Sequence, residues 1–383
     1  MQKLFLKFVG LHSFLIGLFP FFIPVFLWKK GFSIAQISAF ISVTGLGFVG
    51  GLILFDRARA WGFRKTVFAS FLVETILISI VFFVERSWFL PVCGVLNGFY
   101  NCLFWTIQRM IFLDKMPRDG AGRDFGNFQI FVFVILKIGI FTGAFLLENG
   151  GFPAVFYLSA GTGLGGIVLF SLGKDVNRFP ADFRNLPAIR FSEVLTFSDR
   201  EHSRGVFFLD GPFLYLESYF WTISLFLIVK ESFLNLGIVV IVLAGLFGGA
   251  FWVLKNRIDR ISPQRLYVIA TIVYSVSWGL RGMVADIASI RTLATVILIL
   301  SFFNSFFRLA FNKRFFEKAQ KTSGYRYLFI KSYFSQFAIA VVFGGLAVAF
   351  HAFGGRMPFE EIYYGAGFLA LLYGCYGRKD SST

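Results

Sequence analysis

The sequence predicts an all-α polytopic membrane protein with twelve transmembrane helices in two pseudo-symmetric six-helix bundles. Three observations predict it. Of 383 residues, 57% are hydrophobic and 15% charged, and the mean hydropathy is +0.72, more apolar surface than a water-soluble domain of this length buries. The apolar residues fall into twelve runs, each close to the roughly 20 residues that one bilayer crossing needs. A glycine-notched helix end that opens into a charged loop occurs at Gly47 and again 198 residues later at Gly245, the mark of a duplicated half.

The runs are 8–27, 34–55, 66–84, 87–113, 125–147, 154–172, 206–229, 233–254, 266–285, 291–311, 327–350 and 359–377. Their 39 glycines suit close packing between membrane helices, and their 56 phenylalanines supply lipid-facing bulk. In the first run Pro20 and Pro24 remove intrahelical hydrogen bonds and predict a bend, and Ser33 is the expected N-cap of the second. Between the sixth and seventh runs the composition changes sharply. Residues 173–205 form a polar, basic linker with Pro180 and Pro187, dividing the chain into a bundle at 1–172 and a bundle at 206–383. Residues 191–197 are either a short amphipathic helix on an anionic leaflet or part of a flexible linker.

A net charge of +16 raises the question of nucleic acid, and its distribution answers it. Of 37 Lys and Arg, 29 lie in or beside the N-terminal segment, the even-numbered connections and the C-terminus. The odd-numbered connections hold Lys29, Lys30, Arg86, Lys230, Arg291 and Arg356, and Lys137 and Arg281 fall inside runs. This positive-inside bias predicts cytoplasmic termini and no nucleic-acid partner. Cys93, Cys102 and Cys375 all lie in runs, away from any His, and read as small apolar filler rather than zinc ligands or disulfides.

The repeated stretch reads Gly47-Phe-Val-Gly-Gly51-Leu-Ile-Leu-Phe-Asp56-Arg57-Ala-Arg59-Ala-Trp-Gly62-Phe-Arg64-Lys65, and its second copy leads from Gly245-Leu-Phe-Gly-Gly249 to Asp259-Arg260. It resembles the loop between the second and third helices of the major facilitator superfamily, with one extra residue before Asp56 and about three before Gly62. Asn304-Ser-Phe-Phe307 echoes Asn97-Gly-Phe-Tyr100, extending the duplication. The resemblance implies a twelve-helix transporter whose cavity is lined mainly by helices 1, 4, 7 and 10 with 2, 5, 8 and 11. It also implies a gating role for Asp56, Arg57, Arg59, Arg64, Lys65, Asp259 and Arg260, whose alternative is ordinary topology-setting charge. Asp56, an acid in a basic loop, fits that alternative poorly.

Ionisable groups inside spans are costly and are candidates for function by default. Lys137 and Glu217 come from cavity helices of opposite halves and form the leading pair, since an ammonium in hydrocarbon needs either that acid or an anionic substrate group. Asn97 and Asn101, spaced i,i+4, share one face for substrate contact or interhelical hydrogen bonds. Tyr215 and Tyr219 offer aromatic surface, and Asn304 is the counterpart of Asn97. Glu74, on a peripheral helix, and His12 complete the set as coupling candidates, with hydrogen-bonded packing as their alternative. Arg281, near a span end, is expected to snorkel or to pair with Asp286.

Gly143 is followed by Ala144 rather than Pro, and the fourth run has no Arg above Arg109, both unlike typical drug–proton antiporters. No Walker A, His-Glu-x-x-His or acyl-transfer serine motif occurs, so the chain is not read as an enzyme and needs no cofactor or metal. The expectation is a monomeric secondary transporter in a bacterial cytoplasmic (inner) membrane, moving a small organic anion or zwitterion by alternating access with the proton as candidate coupling ion. An exporter of hydrophobic or amphipathic compounds is the alternative, and a non-transporting sensor or scaffold is a weaker one.

Overall fold

A computed structural model describes residues 2–58, 61–83, 89–115, 121–172, 185–199, 201–258, 263–287, 289–354 and 359–376. Arg59, Asp259 and Arg260 of the expected gating set lie outside these residues.

Every predicted run coincides with a helix. α1 consists of Gln2–Leu18 and Ile23–Lys29 joined by a 3-10 turn at Pro20–Phe22, the bend expected where proline removes a backbone donor. There follow α2 (Ile34–Arg57), α3 (Phe63–Phe83), α4 (Phe89–Lys115), α5 (Ala121–Asn149) and α6 (Gly151–Ser171). In the second half α7 is Ser203–Tyr215 and Trp221–Ile228 around a widened π turn at Leu216–Phe220. It is followed by α8 (Phe233–Ile258), α9 (Pro263–Met283), α10 (Ile290–Lys321), α11 (Gly324–Ala352) and α12 (Phe359–Ala370), the last extended by a 3-10 turn at Leu371–Cys375. Nine helical stretches among the described residues are long and apolar enough to cross a bilayer singly. Ser203–Ile228 and Phe233–Leu246 pass as a pair folded back at 115°. Ser33 caps α2 through a reciprocal box: its Oγ accepts from the Gln36 amide at 3.3 Å and its own amide donates to Gln36 Oε1 at 2.9 Å.

The packing repeats with a shift of six helices. α1 lies on α5 as α7 lies on α11, α2 on α4 as α8 on α10, and α3 on α6 as α9 on α12. Among the described residues the broadest seams between the halves are α2 with α11 and α5 with α8. Between membrane helices there is little hydrophobic driving force, so close approach and ring packing supply the cohesion. A Cβ added to Gly139 would run into the Phe14 carbonyl of α1, and one added to Gly211 into the Ser335 carbonyl of α11. These glycines set the two equivalent crossings.

The largest departure from expectation is in α10. The predicted run ends at residue 311, whereas the helix continues to Lys321, and α11 begins at Gly324, three residues before its predicted run. The charges do not end the helix because they find partners: Arg314 lies over the Tyr267 ring at 4.7 Å, Lys318 pairs with Glu201, and Phe315 and Phe316 remain buried. Lys331, inside the predicted run 327–350, lies in α11 and is 6% exposed. Arg281 also departs from expectation. It does not snorkel but is buried, with its guanidinium 4.1 Å from the Trp278 ring centroid and 5.3 Å from that of Trp221.

Candidate transport site

A cavity of about 550 Å³ opens between the halves. Ile16, Pro20 and Phe21 of the bent α1, Phe48 of α2, Asn97 to Phe112 along α4, Leu136 of α5, Asp210 to Tyr219 along α7, Asn312 of α10 and Gln336 of α11 all contribute to its wall. Of the candidates, Asn97, Asn101, Tyr215, Tyr219 and Glu217 line it. Asn97 Nδ2 donates to Thr44 Oγ1 at 3.2 Å and to the Tyr219 hydroxyl at 3.3 Å, so one amide joins α2, α4 and, across the halves, α7. Asn101 Nδ2 donates to the Asn97 carbonyl at 2.8 Å while its Oδ1 accepts from Trp105 Nε1 at 3.1 Å. Tyr215 stacks on Tyr219 with centroids 5.3 Å apart.

The expected Lys137–Glu217 pair does not form. Glu217 Oε1 accepts from the Tyr274 hydroxyl at 2.5 Å, and its Oε2 accepts from Arg308 Nε at 3.2 Å. Lys137 is not among the cavity-lining residues. Its ammonium lies 5.1 Å from the Phe133 ring on its own helix, with no ion pair among the described residues. Helix number placed both residues on cavity helices, but rotation about the helix axis decides which face looks inward. Asn304 also lies outside the cavity lining, its Oδ1 without a hydrogen-bond partner among the described residues.

In place of that pair stands a larger network in the second half. Arg308 Nη1 is 2.6 Å from Asp210 Oδ1, its Nη2 is 3.2 Å from Glu217 Oε1, and Lys331 Nζ is 2.6 Å from Asp210 Oδ2. The Tyr373 hydroxyl donates to Asp210 Oδ1 at 3.4 Å. Asp210 and Glu217 are seven residues apart, two helical turns, and so share a face of α7. That spacing was readable in the sequence. Lys331 and Arg308 fall inside the runs 327–350 and 291–311, but the charge count assigns them to the basic connections beside those runs. The four charges balance, two acids against two bases. A fifth, Arg109 of α4, faces the same cavity with its guanidinium 5.8 Å from the Trp105 ring and no carboxylate partner among the described residues. It is within electrostatic range of Asp210 and Lys331 across the halves.

Both ends of the cavity are bridged. At the basic end the linker lies across the halves: the Ile189 amide donates to Asp56 Oδ2 at 3.0 Å, Arg326 pairs with Glu193 at 2.5 Å, and Phe55 meets Phe329 at 6.0 Å. The linker's short helix, Phe191–Thr196, buries Val194 there. Of the described gating candidates, Asp56 is buried, Arg64 is half-buried, and Arg57 and Lys65 are exposed. At the opposite end Glu148, in the last turn of α5, accepts from the amides of Phe233 at 2.9 Å and Leu234 at 3.3 Å, capping α8 from the other half.

Apart from the cavity, His12 and Glu74 form a fully buried pair, Nδ1 to Oε2 at 2.8 Å.

This architecture, with its pseudo-symmetric halves and cavity between them, is the fold of major facilitator transporters. A mutant form of the nucleoside transporter NupG superposes with a TM-score of 0.68 at 14% identity, over 98% of each chain. The POT family transporter PepTSo superposes at 0.67 with 11% identity, over 97% of this chain and 95% of that one. An auto-inhibited POT family peptide transporter gives 0.60 at 12% identity, over 99% and 97%. No protein-family model matches the sequence, and no curated protein matches it.

Proposed function

We propose that the protein is a secondary transporter that moves a small organic anion or zwitterion by alternating access, with the basic end toward the cytoplasm and protons as the coupling ion. The observation that carries this reading is Arg109. The cavity presents Arg109, Arg308 and Lys331 against Asp210 and Glu217, an excess of one positive charge. An anionic group of a solute neutralises it, with Arg109 from one half and the balanced network of the other as its two sides. The network also offers Asp210 and Glu217 to an ammonium, which accommodates a zwitterion. Trp105, Tyr215 and Tyr219 supply flat apolar surface for the rest of the solute. Solutes of the nucleoside and peptide classes belong in the test because proteins of this fold carry those names.

The deciding experiment is thermal stabilisation of the purified protein by a panel of mono- and dicarboxylates, organic phosphates, dipeptides and nucleosides, in wild type and in Arg109→Gln. Stabilisation by carboxylated or phosphorylated solutes that is lost in Arg109→Gln supports the reading. Stabilisation of both forms by apolar cations overturns it in favour of an exporter of amphipathic compounds.

A further inference from the structure

The transport site makes no use of the most deeply buried titratable pair in the first half. His12 of α1 and Glu74 of α3 have no exposed side-chain surface, and Nδ1 and Oε2 are 2.8 Å apart. On the far side of the ring, Nε2 is 2.9 Å from Ser70 Oγ. The imidazole stacks on Phe71 with centroids 4.1 Å apart, and Phe104 and Phe8 close around it at 4.7 and 5.2 Å.

Proton counting shows what this enclosure accepts. A neutral imidazole beside an ionised Glu74 leaves one negative charge in an apolar bundle, where unpaired charge is strongly disfavoured. One added proton removes the net charge, as imidazolium with carboxylate or as imidazole with carboxylic acid. The spacing serves either form: Nδ1 and Oε2 stand 2.8 Å apart, so the proton can reside on either atom, while their alignment falls outside hydrogen-bond geometry and Glu74 Oε1 likewise has no hydrogen-bond partner among the described residues. Ser70 Oγ donates to Nε2 or accepts from Nε2–H by rotating its hydroxyl hydrogen. The pocket therefore holds one exchangeable proton, delivered from water and returned to it.

No neighbouring element supplies a competing charge among the described residues. α4 contributes Phe104 and Tyr100, whose phenol is within electrostatic range of Glu74, and α6 contributes Phe170, stacked on Phe71 at 5.8 Å. On α5, the helix that packs along α1, the ammonium of Lys137 lies at Phe133. The ion-pair contact of Glu74 among the described residues is with His12.

Two links lead from the pair to the transport cavity. Ile16, one turn beyond His12 on the same face of α1, lines the cavity just before the Pro20 bend, and Tyr100 lines it from α4 beside Glu74. We propose that the His12–Glu74 pair is the proton-binding site that couples the transport cycle, loaded in the closed bundle seen here and unloaded when α1 and α4 part enough to admit water. This rests on the transporter reading above. In the loaded state the pair is neutral and α1 packs on α3. Release of the proton leaves a carboxylate that needs hydration, and it drives the first half toward an open arrangement.

The test needs no solute, so its outcome is independent of the anion-stabilisation experiment. Protein reconstituted in liposomes is titrated between about pH 5 and 8, following carboxyl and imidazole bands by infrared difference spectroscopy and the separation of spin labels placed across each end of the bundle. In wild type the expected result is uptake of one proton by the pair together with a change in label separation over the same range. Glu74→Gln and His12→Gln abolish both, each holding one fixed separation at all pH values. Ser70→Ala, which keeps both titrating groups, moves the midpoint and preserves the amplitude. If the bands do not titrate in wild type, or if Glu74→Gln retains the pH-dependent separation, the proposal is overturned and the pair is a structural tie between α1 and α3. Should either glutamine variant fail to fold, Ser70→Ala decides: an unmoved midpoint overturns the proposal.

Discussion

Lys331 Nζ donates to Asp210 Oδ2 at 2.6 Å, tying α11 to α7 beneath the cavity, while Arg308 from α10 holds the other oxygen at the same distance. A single carboxylate thus bridges two cations from two helices. Removing it leaves Lys331 unpaired in a buried setting and Arg308 with Glu217 alone, so Asp210→Ala is expected to destabilise by about 3–5 kcal/mol. The double variant Asp210→Leu/Lys331→Met removes an acid and a base together and should unfold closer to wild type. Thermal unfolding in detergent micelles, with all variants in the same detergent, checks the order.

Arg109 and Arg308 line one cavity but differ in what they hold. Arg308 is bound to two carboxylates, whereas Arg109 has only the Trp105 ring among the described residues. Arg109→Gln should leave stability within about 0.5 kcal/mol of wild type, as for substitutions that break no network, while Arg308→Gln should cost several times more. Unfolding midpoints without solute check this, and equal losses in the two variants would show that Arg109 has a structural role.

The two end bridges predict opposite movements. Glu148→Ala removes a cap from the start of α8 and frees the α5–α8 seam at the opposite end, a contact type worth about 0.5–2 kcal/mol. Asp56→Ala releases Ile189 and frees the basic end. Spin-label pairs across each end should show Glu148→Ala widening the opposite end and Asp56→Ala widening the basic end. Widening at the same end in both variants contradicts independent bridges at the two ends.

Glycine contacts predict a graded series. Gly139→Ala places a methyl group against the Phe14 carbonyl, and Gly211→Ala places one against that of Ser335. Overpacking of this kind costs about 1–3 kcal/mol. Gly245, although part of the repeated motif, has open space around its position, and Gly245→Ala should be neutral. Comparing the three unfolding midpoints separates close packing from membership of the motif.

The fold was legible in the sequence because its causes are local. A bilayer demands apolar runs of one length, proline bends a helix wherever it stands, and a Ser at the head of a run with Gln three residues on caps it, as Ser33 and Gln36 do. Where charges find partners the same local reading fails: it ends α10 about ten residues early, since a hydropathy window cannot see Tyr267 under Arg314 or Glu201 beside Lys318.

The sequence by itself determined the helices, their number, their two-fold repetition and the residue types available to a site. Only the tertiary structure decided which of them meet. It turned Lys137 away from the cavity, gave Glu217 to Arg308 and Tyr274, drew Asp210 and Lys331 together, and enclosed His12 with Glu74. The physical reason is that a span's apolar content specifies that it lies in the membrane, whereas its rotation is set by the side chains of neighbours distant in the chain.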